Sequence, residues 1–158
     1  MRRPTRRDLP LVLVLVVAAG VLAYLLLRQA EPDDPFARYC EEVEEHQAVI
    51  GAARSAGETT GLIRALPAFE DLAEAAPDDI EDEWRIVVSR VTDLRDALAD
   101  ADVDPAAYDP EKPPEGVDAE DLEAIKAAAV RLGSRETAAA LTGVEQQARD
   151  VCQTPLSL

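Results

Sequence analysis

The amino-acid order specifies an all-α protein: a single N-terminal transmembrane helix followed by a small antiparallel bundle of four to five helices. Three observations carry this. Residues 9–27 form 19 consecutive positions without a charged side chain. Further on, Ile80, Trp84, Val87, Val91, Leu94 and Leu98 recur at spacings of 4, 3, 4, 3 and 4. That repeat gathers apolar side chains into one stripe along an α-helix. Nothing else in the chain alternates apolar and polar residues as a half-buried strand does.

The apolar run comes first. A helix of 19 residues rises ~28 Å, close to the ~30 Å hydrocarbon core of a bilayer. Arg2, Arg3, Arg6 and Arg7 precede it, while Arg28 is followed by Glu31, Asp33 and Asp34. Positive flanks stay on the cytoplasmic side, so the amino terminus is expected inside and the remainder outside. A cleaved signal is the competing reading. Ala18-Ala19-Gly20 has the small residues of a cleavage site, but Val21 to Leu27 behind it is still apolar, and Arg28 spoils a cut after Ala30. The expected organisation is a basic flank at 1–8, an anchor at 9–27, an acidic linker at 28–34 and a helical domain at 35–158.

Within that domain, Asp34 is expected as a cap and Pro35 as the first helical residue. The face of this helix is Phe36, Tyr39, Cys40, Val43, Ile50 and Ala53, with Gly57 as its stop. Residues 58–66 carry no decisive pattern. Pro67 reads as the start of a short helix bearing Phe69, Leu72 and Ala76. Pro77 then opens the helix of the long stripe. Asp78, Asp79, Glu81, Asp82 and Glu83 crowd its beginning, where the helix dipole favours negative charge.

A proline-rich loop follows at 103–117, because Pro105, Pro110, Pro113 and Pro114 forbid regular helix. Asp100, Asp102, Asp104 and Glu111 match four ligand positions of a calcium loop, yet Pro105 stands where the turn glycine belongs. A plain acidic loop is the expectation. After it, Asp118 caps a helix marked by Leu122, Ile125, Ala129 and Leu132, with Gly133 as its stop. Ser134 caps the last helix, whose expected face is Ala138, Leu141, Val144, Ala148 and Val151.

Composition narrows the function classes. The net charge is −16, with 32 acidic against 16 basic side chains. Five of the basic ones lie at or before Arg28, so the outer part is more acidic still. Nucleic acid is a poor partner for such a surface, whereas cations and basic proteins are attracted to it. The lone histidine, His46, excludes the two-histidine zinc helix, and the Glu42 and Glu45 beside it read as a solvated face. No nucleophile elbow, phosphate loop or Ser-x-x-Lys appears. No catalytic, cofactor-binding or metal-binding residue is assigned.

The two cysteines are expected to pair. Cys40 opens the first helix and Cys152 closes the last, and an outside location permits a disulfide. Two free core thiols or a redox pair are the alternatives, the latter disfavoured without a Cys-x-x-Cys.

An early cysteine, the central LAEAAPDDIEDEWRIVV of residues 72–88 and a second cysteine near the carboxyl end resemble small exported or membrane-anchored helical proteins of actinobacteria. The resemblance spans about residues 36–153. It implies a fold and a location and carries over no site residue. The expected function is therefore a membrane-anchored, extracytoplasmic interaction module that binds another envelope protein. The alternative is a module that binds a lipid or other apolar ligand between its helices.

Overall fold

The computed structural model describes residues 17, 19–22, 24, 34–55, 57–106, 108, 109, 112 and 114–157. The chain divides into two compact units, Met1–Asp34 and Pro35–Leu158. In the first, the described residues from Val17 to Tyr24 are helical, and Val17, Val21, Leu22 and Tyr24 are each more than half exposed. Most of the anchor expected at 9–27 lies outside the described residues. Among the described residues no helix is long and apolar enough to cross a membrane.

The second unit holds five helices among its described residues: α1 (Ala37–Arg54), α2 (Glu58–Ala75), α3 (Glu81–Asp100), α4 (Ala119–Leu132) and α5 (Arg135–Val151). The first pair is antiparallel, since Arg38 meets Glu74 and His46 meets Asp71. Along α3 the partners run in reverse order: Asp79 with Gln147, Glu83 with Gly143, Arg90 with Glu136, Asp93 with Arg131. So α5 covers the first half of α3 and α4 covers the second. The bundle runs up, down, up and down, and its last leg is broken at Gly133 and Ser134.

That break is chemically complete. Ser134 Oγ accepts the Thr137 N–H at 3.2 Å, which caps α5, and Thr137 Oγ1 donates to the Arg131 carbonyl at 2.9 Å, which satisfies the end of α4. At the other end of α4, the Asp118 carboxylate accepts the N–H groups of Glu120 and Asp121.

Several local expectations are corrected. The first helix begins at Ala37, and Phe36 rather than Asp34 holds its N-cap position. It ends at Arg54, and Gly57 instead precedes α2 with φ +104°, a conformation that only glycine adopts freely. Pro67 does not start a helix. It lies inside α2, which runs unbroken from Glu58. Pro67 is exposed, so the carbonyl deprived of its N–H partner can turn to water. Pro77 belongs to the turn before α3, whose N-cap is Ile80. The buried face of α5 is Thr137, Ala140, Val144 and Ala148, while the expected Ala138 is exposed. Thr137 is buried because its hydroxyl is already satisfied by the capping bonds.

The α3 stripe serves two cores. Ile80, Trp84 and Val87 join Tyr39, Val43, Phe69, Leu72, Val144 and Ala148 in the larger one. Leu94 and Leu98 form the smaller one with Ile125 and Ala128, roofed by Val103, Tyr108 and Val117 of the proline-rich loop. Val91, also buried, stands between them in the stripe. Gly143 lets α5 close on α3: a Cβ there would come within 3.2 Å of Glu83 Cγ. Leu94→Ala should cost ~2–5 kcal/mol in denaturant unfolding, because the small core has few neighbours able to refill the space. A change within ~0.5 kcal/mol, the range of surface substitutions, would contradict this packing.

Candidate functional site

The candidate site is an apolar groove of about 350 Å³ on the larger core. Ile50 of α1, Gly61, Leu62, Ala65 and Phe69 of α2, and Leu141 and Glu145 of α5 line it, and Leu156 and Ser157 of the carboxyl tail complete the wall. The sequence explains its hollowness. Gly61 and Ala65 sit one turn apart on α2 and fill little space, while α5 presents Ala140 and Ala148 to the core rather than larger side chains.

The tail forms its wall because it is held at three points. The Cys40–Cys152 disulfide joins the start of α1 to the residue after α5, with Cα atoms 5.2 Å apart, as a disulfide requires. Gln153 then turns the chain in a left-handed conformation, φ +55°. Gln47 of α1 reaches across, its Nε2 donating to Thr154 Oγ1 at 2.9 Å and also to the Pro155 carbonyl. Leu156 is thereby buried, 5% exposed, against the larger core. The pairing of Cys40 with Cys152 is the one expected from the sequence; composition and periodicity point neither to the Gln47 bonds nor to the burial of Leu156, because the tail residues contribute to no repeat.

Phe69 connects the groove to the centre of the domain. Its ring lies 5.9 Å from that of Trp84, tilted by 45°. Trp84 Nε1 donates to the Tyr39 hydroxyl at 3.2 Å, and both residues are fully buried. Burial pushes the Tyr39 hydroxyl above its ordinary pKa, and the nearby Asp79 adds to this, against the bond from Trp84.

Other polar clusters are structural. His46 lies between Glu42 at 3.4 Å and Asp71 at 3.1 Å and ties α1 to α2. Asp71, from another helix, is the neighbour that sequence proximity missed. Asp104 spends its carboxylate on the Ala106 N–H at 2.9 Å, and Thr60 holds the Pro105 carbonyl at 3.2 Å. Glu111, the last residue of the calcium-like spacing, lies outside the described residues. Among the described residues no three His, Cys, Asp or Glu side chains converge as metal ligands do. The Asp121 carboxyl is raised, first by desolvation and then by Asp118 and Glu120, as expected where acids share a helix start.

No known protein family, curated protein or solved structure matches this chain.

Proposed function

We propose that this protein is a membrane-tethered, extracytoplasmic binding module whose helical bundle takes up an apolar ligand. The groove carries the reading. Its volume, about 350 Å³, falls at the lower end of the ~300–1,000 Å³ typical of ligand pockets, and its lining is mostly apolar with few polar groups, as in such pockets. Two features support the outside location. The Cys40–Cys152 disulfide suits an oxidising compartment. The uncharged run 9–27, basic before and acidic after, suits an anchor with its amino terminus in the cytoplasm.

A second reading, capture of a basic envelope protein, draws on the net charge of −16. Among the described residues of the second unit, the exposed large apolar side chains are Val49 and Val130, on different helices, and they form no docking patch.

The tether has a direct test. The mature protein should retain its basic amino terminus and stay in the membrane pellet through a carbonate wash. Release of an intact domain that begins between Val21 and Glu31 would replace the anchor with a cleaved signal. Lipid extraction of the purified chain followed by mass spectrometry tests the ligand. Recovery of a protein partner at stoichiometric yield, with no bound apolar molecule, would favour the second reading.

A further inference from the structure

Resting on the apolar-ligand reading, we infer that residues 153–157 are a redox-latched strap over the groove: a dithiol that opens the Cys40–Cys152 bond frees the strap and weakens the groove's hold on its ligand. The strap is laid along α1. Cys40, Gln47 and Ile50 recur at helical spacing and share one face of that helix. The tail meets them in order. Cys152 is bonded to Cys40, Thr154 and Pro155 accept from Gln47, and Leu156 lines the groove together with Ile50. From Cys40 to Ile50 the helix rises ~15 Å, and the chain from Cys152 to Leu156 spans at most ~14 Å. The strap therefore has little slack, and its register depends on Cys152 staying beside Cys40. A slip of one helical turn, ~5.4 Å, would withdraw Leu156 from the wall.

The forces on the docked tail are closely balanced without the bond. α5 rests chiefly on α3 and meets α1 far less, so the tail rather than a helix–helix seam closes this side. Gln153 holds a left-handed conformation, φ +55°, which strains any residue but glycine. The burial of Leu156, the bonds of Gln47 and a further contact of Ser157 favour docking. Together they return no more than the conformational freedom lost on ordering residues 153–157. The disulfide tips that balance by presenting Thr154 and Pro155 to Gln47 at high effective concentration. Both cysteines are partly exposed, so a reductant reaches the bond from solvent. A thiolate of the dithiol attacks one sulfur, the S–S bond breaks and a mixed disulfide forms. Its second thiolate then displaces the cysteine. Two electrons and two protons pass to Cys40 and Cys152, which become thiols, and the reductant leaves as its own disulfide.

The experiment uses the full chain in nanodiscs of zwitterionic lipid, oxidised or treated with dithiothreitol without denaturant. Thiol alkylation and amide hydrogen exchange are followed. Both cysteines should become alkylatable, and exchange at Thr154, Leu156 and Ser157 should quicken about tenfold or more while the helices keep their protection. Ligand hold is read from Trp84, the single tryptophan, whose ring lies 5.9 Å from that of Phe69 in the groove wall. 10-Bromodecan-1-ol should quench it saturably in the oxidised protein. Cys40→Ser combined with Cys152→Ser, in which no thiol meets the bromide, should raise the half-quenching concentration about tenfold, as expected for the loss of one leucine from the wall. Should that variant fold poorly, Leu156→Ala keeps the bond and should shift quenching in the same direction. A bond that resists dithiothreitol in the folded protein, or a tail that keeps its protection once reduced, would overturn the latch. Loss of protection along every helix of the bundle would overturn it in favour of general unfolding. Tail release with unchanged quenching would overturn the control of binding and leave the apolar-ligand reading intact. Saturable quenching in neither state would overturn that reading, and the inference with it.

Discussion

Trp84→Ala should lower the free energy of unfolding by ~3–5 kcal/mol, the largest loss expected from any single apolar side chain here. Trp84 is fully buried where α1, α2, α3 and α5 meet, against Tyr39, Phe69 and Val144. Truncation would leave a cavity that three packed helices cannot close. It would also strip the Tyr39 hydroxyl of its donor at 3.2 Å. An orphaned buried hydroxyl costs ~1–3 kcal/mol by itself. Trp84→Phe separates the two contributions, since phenylalanine retains much of the ring and loses the N–H. Its expected cost is ~1–3 kcal/mol. Urea unfolding followed by circular dichroism measures both. A loss below ~1 kcal/mol for Trp84→Ala would mean that the larger core is not the one described.

Reduction of the Cys40–Cys152 bond should be the other large effect. The two cysteines are 112 residues apart, and the chain-entropy estimate for closing so long a loop is ~4–5 kcal/mol. For a domain of this size that corresponds to a fall in melting temperature of about 15 °C. The helical signal at room temperature should survive, because both cores remain. What should loosen first is the tail. With the disulfide gone, Leu156 is held by its own burial and by the bonds of Gln47 to Thr154 and Pro155. Cys152→Ser should behave as the reduced protein does, and protein collected from the oxidising side should run faster on a non-reducing gel. Two freely alkylatable cysteines in that material would overturn the bond and the extracytoplasmic location together.

These effects differ in how far local sequence announces them. The stripe Ile80, Trp84, Val87, Val91, Leu94 and Leu98 is a local property. Spacing of three and four residues puts these side chains on one face whatever packs against it, and in the fold every one of them is buried. Asp118, Gly133 and Ser134 are equally local, because a cap bonds to its own backbone within four residues. Pro67 misled for the same reason in reverse. Its preference for a helix start is local and weak, and the burial of Ala65, Leu66, Ala68, Phe69 and Leu72 around it carried the helix through.

The sequence by itself determined the helical class, the apolar stripe, the caps of the last two helices, the acidic character of the surface and the pairing of the two cysteines. The first four depend on residues within a turn or two of one another, or on composition alone, and the pairing follows from one cysteine at the start of the first helix and one at the end of the last. The tertiary structure decided the rest. It rotated the buried face of α5 to include Thr137 and Ala140, because α5 must meet α3 through Gly143. It also split the α3 stripe between two cores, as α4 and α5 successively cover one helix. The groove belongs to this second kind. Its walls come from Ile50, Ala65, Leu141 and Leu156, residues brought together by a disulfide and a glutamine clamp across more than a hundred positions. Helical periodicity extends over a few turns of one segment, so contacts at that separation exist only once the chain has folded.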